Sequence, residues 1–219
     1  MKKDYKLVIF DLDGTLLNTK QGIIDSVKYT ISKHGLPTLS EDKIDNFIGP
    51  PIQNSFQRVY GVSGSALQEL AETFRNRYKN YDLLKANIYD GVVSMLSTLK
   101  NNKKKIAVAT YKREDYAIKI LKAFNLYSYF DIVHGGDNYN VLKKSDIIEK
   151  CIMESGVKNR SEVLLVGDTI NDEIGACEVG VDFLGVLYGF GFKEKEEKGR
   201  SVIGFVNNPY EILVYTIIN

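Results

Sequence analysis

Four aspartates follow two apolar runs of the sequence and could carry chemistry together. Asp11 and Asp13 come directly after the run 7–10, and Asp168 and Asp172 follow a later run. Carboxylates can attack as nucleophiles, transfer protons or bind a divalent cation. Each aspartate alone is more simply interpreted as a turn residue or a helix cap, because aspartate favours both positions. The chemistry is indicated only if the four side chains meet at one site.

A threonine and a lysine pair have comparable positions. Thr110 ends the apolar run 106–109, and Lys143 and Lys144 precede the helical segment that leads to the run 163–166. A hydroxyl group and an ammonium group can both donate hydrogen bonds to an anion. On their own, Thr110 suits a helix N-cap and the two lysines suit an exposed surface.

The spacing of apolar residues predicts the elements that would position these side chains. Short apolar runs suit strands that are buried on both faces of a parallel sheet, and segments with helical spacing lie between them. The predicted strands are 7–10, 106–109, 130–133, 163–166 and 181–186, and the predicted helices are 92–100, 116–124, 146–155 and 170–179. Strands that alternate with helices predict βαβ units and therefore an α/β fold. In open sheets of this class, ligands bind beyond the carboxyl ends of the strands, where the aspartates and the threonine stand.

One long segment interrupts the alternation of strands and helices. Residues 18–84 contain no convincing buried strand, and a stripe that begins with Ile23 and Val27 has the spacing of an amphipathic helix. This pattern predicts an all-helical insert over 18–84 within a core domain formed by 1–17 and 85–219.

The composition argues against several classes of partner. The 219 residues have a formal net charge of +1, which gives no electrostatic reason to expect a nucleic acid polymer or an anionic membrane. The first apolar run has only four residues, too few for a signal peptide or a membrane span. Cys151 and Cys177 are not in a CxxC spacing, so a disulfide framework or a zinc site is not expected. We therefore expect a cytoplasmic protein.

The candidate residues together resemble the motifs of the haloacid dehalogenase-type phosphatase superfamily, over nearly the whole chain. Its four motifs are matched, in chain order, by Asp-Leu-Asp-Gly-Thr-Leu at 11–16, by Thr110, by Lys144, and by Gly167-Asp168 with Asp172. In close relatives the lysine stands two residues before an aspartate and an aliphatic pair, a spacing that favours Lys144 over Lys143. The helical insert resembles the type 1 cap of this superfamily. Residues 188–191 resemble a segment common in its phosphoglycolate phosphatase-like members.

This resemblance implies a Rossmann-like, doubly wound parallel sheet and a phosphatase that depends on Mg²⁺. Asp11 would be the nucleophile and would form an aspartyl-phosphate. Asp13 would bind the metal through its backbone carbonyl, while its side chain protonates the leaving oxygen and then deprotonates the attacking water. Asp168 would bind Mg²⁺, and Asp172 would bind it directly or through water. The cation would relieve the repulsion between a carboxylate and a phosphate dianion.

Thr110 and Lys144 would act on the phosphate group itself. The Thr110 hydroxyl would hold the phosphate, and the Lys144 ammonium group would neutralise the charge of both the phosphate and the nucleophile. Four further residues are expected to contact the substrate: Gly14, Thr15, Tyr111 and Gly49. Tyr111 stands where many relatives carry Asn or Ser, so a specific phosphate contact at this position is open. Gly49 belongs to a segment that resembles the cap loop facing the active site, and an ordinary turn between helices is the alternative.

The resemblance implies hydrolysis of a small phosphate ester, of the phosphoglycolate or nucleoside monophosphate type. A sugar phosphomutase of the β-phosphoglucomutase type is less favoured, because residues 18–22 lack the histidine that mutase relatives carry. A dehalogenase is disfavoured because those relatives lack the second aspartate, which is Asp13 here. A non-enzymatic phospho-signalling or phosphate-binding protein is disfavoured because signalling receivers carry their phospho-acceptor on a later strand and have no cap. A monomer and a homodimer both remain open.

Overall fold

The computed structural model describes residues 3–139, 141–193 and 201–217. The chain divides into two compact units, one formed by Met1–Asn18 with Ile88–Asn219 and the other by Thr19–Asn87. None of the described helices combines the length and the apolar character that a membrane crossing requires.

The first unit is built on a parallel β-sheet. The strands are, in chain order, β1 (Leu7–Phe10), β2 (Leu17–Asn18), β3 (Asn87–Ile88), β4 (Lys105–Arg113), β5 (Ile132–Gly136), β6 (Val163–Gly167), β7 (Asp182–Val186) and β8 (Val202–Val206). Six of them form one sheet in the order β5-β4-β1-β6-β7-β8, and every neighbouring pair in it is parallel. The short strands β2 and β3 pair with each other. Because the strand order reverses at β1, the carboxyl end of β1 lies where ligands bind in doubly wound sheets.

Helices follow the strands of the first unit. They are α5 (Val92–Asn101), α6 (Glu114–Ala123), α7 (Lys144–Ser155), α8 (Ile170–Val179) and α9 (Pro209–Thr216). Short 3₁₀ turns occur at Tyr127–Tyr129 and Arg160–Glu162.

The centre of the sheet is buried on both faces, which explains the continuous apolar runs. Leu7 and Ile9 lie in one hydrophobic cluster with Ile148 of α7 and Ala176 of α8. The intervening residues of β1 are also fully buried, so the opposite face is covered too. A parallel sheet needs this double cover because its crossover helices occupy both faces. The predicted α/β class, with a Rossmann-like parallel sheet, is confirmed.

Two features of the sheet differ from the sequence prediction. β4 continues to Arg113 rather than ending at Thr110, because its register with β5 shifts beyond Thr110 and allows pairing to resume. β8 was not predicted, since Gly204 interrupts its apolar run. A Cβ atom at Gly204 would lie 2.3 Å from the Tyr215 hydroxyl, so the glycine serves close packing.

The second unit is helical. Its helices are α1 (Lys20–Lys33), α2 (Glu41–Asp45), α3 (Ile52–Tyr60) and α4 (Gly64–Arg77), followed by one π-helical turn at Tyr78–Asp82. The predicted stripe of α1 is buried at Ile23, Val27 and Ile31.

A buried carboxylate organises the interior of the second unit. Asp82 has no exposed area and accepts hydrogen bonds from Ser26 (2.9 Å) and Arg77 (2.7 Å). Lys85 lies 2.9 Å from its second oxygen. These partners satisfy a charge that would otherwise be costly to bury.

Candidate active site

The turn that follows β1 places two aspartates at the carboxyl edge of the sheet. The Asp11 amide donates to the Val166 carbonyl at 2.9 Å, so pairing with β6 extends one residue past β1. Gly14 has φ +90°, and a Cβ atom there would lie 2.2 Å from Oδ2 of Asp168. Both the backbone conformation and the available space therefore require glycine at this position.

Three carboxylates from two neighbouring strand ends meet beside this turn. Asp11, Asp168 and Asp172 each offer an oxygen, and these oxygens lie within 4.8 Å of one another. All three residues are buried. They meet because Phe10 pairs with Val166, which sets the ends of β1 and β6 side by side.

The electrostatics of this group favour a bound cation. Burial raises the pKa of Asp11 to about 7; Lys144 opposes this shift, whereas Asp172 and Asp13 add to it. Burial, with the charges of Asp172 and Asp11, also raises the pKa of Asp168 well above its usual range. The negative charge at this site is thus only partly neutralised by the protein itself.

The donor set fits Mg²⁺. The site contains four carboxylates, those of Asp11, Asp13, Asp168 and Asp172. Two ammonium groups contact them, those of Lys112 and Lys144, so two negative charges are in excess when all six groups are ionised. Mg²⁺ prefers oxygen ligands and usually retains water molecules alongside one or two carboxylates. Asp11, Asp168 and Asp172 are the residues whose oxygens lie close enough together to hold it.

Lys144 connects the carboxylates of this cluster. Its Nζ lies 2.6 Å from Oδ1 of Asp11 and 2.6 Å from Oδ1 of Asp172. Burial alone would lower the pKa of Lys144, but the two carboxylates outweigh it and raise this pKa. Lys144 is buried at the first position of α7, whereas Lys143 is exposed. The geometry thus brings Lys144 to the aspartates.

Asp172 has a second structural task. Its Oδ2 accepts hydrogen bonds from the amide of Thr169 at 3.0 Å and from the hydroxyl of Thr169 at 2.6 Å. Asp172 therefore caps the start of α8 with one oxygen and binds Lys144 with the other.

A lysine that the sequence analysis missed contacts Asp13. Nζ of Lys112 lies 3.1 Å from Oδ1 of Asp13, and the lysine side chain is 5% exposed. The Lys112 amide also donates to the Thr110 hydroxyl at 3.1 Å, which leaves the hydroxyl hydrogen available as a donor. No local signal in the sequence marks Lys112, because the continuation of β4 past Thr110 depends on a register shift against β5.

The segment 188–191 holds Asp168 in place. The amides of Phe190 and Gly191 donate to Oδ2 of Asp168 at 2.7 and 3.3 Å. A Cβ atom at Gly189 would lie 2.3 Å from Cβ of Asp168. The sequence indicates this segment only by its resemblance to relatives; its structural role is to orient a carboxylate that could bind metal.

The four predicted substrate contacts have different locations. Gly14 and Thr15 lie beside Asp168, and the Thr15 hydroxyl is 3.5 Å from its Oδ1. The Tyr111 hydroxyl accepts a hydrogen bond from the Lys144 amide. Gly49 belongs to the second unit and has φ +99°. Direct substrate contact by these four residues stays a prediction.

The chain matches a known protein family over most of its length. The family is described as haloacid dehalogenase-like hydrolase, and the match covers residues 8–186. The chain belongs to this family. The prediction from the motifs is thereby confirmed, and the matched range includes every aspartate of the cluster.

Individual proteins are similar to this chain over 80% of its length or more. A 5'-nucleotidase from Pseudomonas aeruginosa is 28% identical over 191 residues, which are 87% of this chain and 86% of that protein. Pyrophosphatase PpaX from Halalkalibacterium halodurans is 33% identical over 176 residues, 80% of each protein. The crystal structure of a "predicted phosphatase" from Clostridium acetobutylicum has a TM-score of 0.88 and 31% identity, and covers 95% of this chain and 96% of that one.

Proposed function

We propose that this protein is a Mg²⁺-dependent phosphatase that hydrolyses a small phosphate ester through an aspartyl-phosphate on Asp11. One observation carries the proposal: the buried Asp11 carboxylate is held by Lys144 at 2.6 Å, and oxygens of Asp168 and Asp172 lie within 4.8 Å of it. This arrangement supplies a fixed nucleophile, a neutralising ammonium group and oxygen ligands for a cation.

Three of the similar proteins support a small substrate. They are named as a 5'-nucleotidase, a pyrophosphatase and, for a 28% identical protein of Aquifex aeolicus, a phosphoglycolate phosphatase. These names share a phosphoryl group on a small molecule, and we extend only that common property to this chain. A cytoplasmic location and a monomeric or homodimeric state stay predictions.

Different residues of the site carry out different steps of the proposed reaction. Asp11 attacks the phosphorus while Asp13 gives a proton to the leaving oxygen; water then cleaves the aspartyl-phosphate, and Asp13 accepts its proton. Lys144 keeps the Asp11 carboxylate oriented, and the Thr110 hydroxyl donates to the phosphoryl oxygens. Bound Mg²⁺ would neutralise carboxylate and phosphate charge so that one anion can attack another.

Phosphate release tests the proposal directly. We expect purified protein to hydrolyse p-nitrophenyl phosphate in the presence of Mg²⁺, and we expect this hydrolysis to stop when EDTA removes the cation. Asp11→Asn should lower the rate by at least about a thousandfold, because it removes the nucleophile. The control is Asp131→Asn, since the Asp131 carboxylate also accepts a hydrogen bond from a lysine side chain, from Nζ of Lys100 at 2.8 Å. Normal turnover by Asp11→Asn would refute the assignment of the nucleophile.

The same assay separates the phosphatase from the mutase and defines the substrate. Phosphoglycolate, nucleoside monophosphates, sugar phosphates and pyrophosphate should be compared by kcat/KM. Isomerisation of a glucose phosphate without net release of phosphate would favour a mutase instead.

A further inference from the structure

The end of β4 has an irregular geometry that sets the direction of two side chains. Thr110 pairs with Gly135 and Arg113 pairs with Gly136, so two residues of β4, Tyr111 and Lys112, lie between two pairs that are consecutive on β5. Extra residues of this kind form a β-bulge, which re-aims side chains and is common beside active sites. The two side chains of this bulge have different partners, since Tyr111 contacts Lys144 and Lys112 contacts Asp13.

The two glycines of β5 make this bulge possible. A Cβ atom at Gly136 would lie 2.5 Å from the carbonyl oxygen of Tyr111, and one at Gly135 would lie 2.5 Å from that of Lys112. Real side chains do not approach a backbone oxygen so closely, so glycine at both positions lets β4 bulge against β5.

Tyr111 contacts both ends of Lys144. Its hydroxyl accepts a hydrogen bond from the Lys144 amide at 3.0 Å, which satisfies one of the unpaired amides at the start of α7. The centre of its ring lies 5.7 Å from Lys144 Nζ, within the range of a cation–π contact. The ring is partly buried against the hydrophobic cluster of the sheet, so it is itself held in place.

Lys144 needs such support because its side chain is long and flexible. On another side it meets α8, where a Cβ atom at Gly175 would lie 2.8 Å from Cγ of Lys144. The lysine stem thus packs against Gly175, and its Nζ lies beside Asp11 and Asp172.

We propose that Tyr111 is a positioning residue that fixes Lys144 against Asp11, and does not select the leaving group of the substrate. The inference rests on the proposed function, since it takes Asp11 as the nucleophile. Because Lys144 acts on the phosphoryl group that all substrates share, a loosened Lys144 should lower kcat by the same factor for every leaving group.

The first test compares Tyr111→Phe with Tyr129→Phe. Tyr129 is also partly buried and also accepts one hydrogen bond, from Ser97 at 3.2 Å, so it controls for the loss of a hydroxyl. We expect Tyr111→Phe to lower kcat roughly threefold to tenfold for both p-nitrophenyl phosphate and pyrophosphate, with KM unchanged. Tyr111→Leu, which also removes the ring, should lower kcat further. A change in KM for one substrate alone would show that Tyr111 contacts the leaving group, and would overturn the proposal.

A second test does not depend on turnover. The ammonium group of a buried, hydrogen-bonded lysine gives a slowly exchanging ¹H–¹⁵N signal, which Lys144→Met would assign by its disappearance. We expect Tyr111→Phe to broaden or abolish the Lys144 signal, and Tyr129→Phe to leave it sharp. If the signal is unchanged in Tyr111→Phe, the positioning role is wrong. Absence of phosphate release from the unsubstituted protein would instead count against the proposed function, and the ammonium signal would still decide the role of Tyr111.

Discussion

The protonation of two carboxyl groups should make the affinity of the site for a metal depend on pH. The pKa of Asp11 is raised to about 7, and that of Asp168 is also raised, chiefly because both are buried beside other carboxylates. A proton and a divalent cation therefore compete for the same oxygens. Asp11 and Asp168 must each lose their proton before the site reaches its full affinity for a metal.

The stability of the metal-free protein should consequently fall as the pH rises. In the folded protein the pKa of Asp11 lies above the ordinary value of 3.8. The contribution of Asp11 to the free energy of unfolding is therefore fully present below pH 3.8 and is lost as the pH rises through about 7. In EDTA we expect a lower thermal midpoint at about pH 8 than at about pH 6. Asp11→Asn should reduce this difference and Asp131→Asn should retain it. Saturating Mg²⁺ should also reduce it, because the cation stabilises the ionised form. A difference that is equal in both variants would contradict the assignment to Asp11.

At the scale of the elements, the bulge of β4 is the feature whose loss can be tested most cleanly. Gly136→Ala would place a methyl group 2.5 Å from the Tyr111 carbonyl oxygen and force the strands apart or straighten the bulge. We expect this overpacking to reduce the free energy of unfolding by about 2 kcal/mol. Displacement of Tyr111 and Lys112 should lower kcat roughly tenfold to a hundredfold.

The matched control for Gly136→Ala is Gly156→Ala, at the end of α7. Gly156 has φ +72° with nothing within 4 Å of a Cβ atom, so alanine there adds backbone strain without a collision. Its cost should be about 1–2 kcal/mol, measured by urea unfolding, with kcat unchanged. Equal loss of kcat in both variants would mean that general destabilisation, and not the bulge, accounts for the effect.

The elements also explain which parts of the site the sequence could predict. β1 and β6 are buried on both faces, so their apolar runs are unbroken, and Asp11 and Asp168 stand directly at their ends. The continuation of β4 depends instead on Gly135 and Gly136 of a neighbouring strand. No local pattern around Lys112 contains that information, so its contact with Asp13 could not be predicted from residues 105–113 alone.

At the scale of the whole molecule, the two units should respond differently to the cation. All of the carboxylates in the cluster belong to the first unit. Binding of Mg²⁺ stabilises the structure that holds the ion and slows its local opening. We expect hydrogen exchange to slow at 11–17, at 167–172 and at 188–191 when Mg²⁺ is added, with little change at 20–77. An equal increase in protection across Thr19–Asn87 would contradict a metal site built from the first unit alone.

The central position of β1 also has a consequence for synthesis on the ribosome. β1 is made first, yet its neighbours β4 and β6 begin only at Lys105 and Val163. The second unit is continuous in sequence, so all of its internal contacts are available once Asn87 has left the exit tunnel. Until β4 follows, the nascent chain carries an apolar strand with unpaired edges, a form that associates readily with other chains. The order of translation thus leaves β1, which Asp11 follows, without its neighbours in the sheet even after every residue of the second unit has been made.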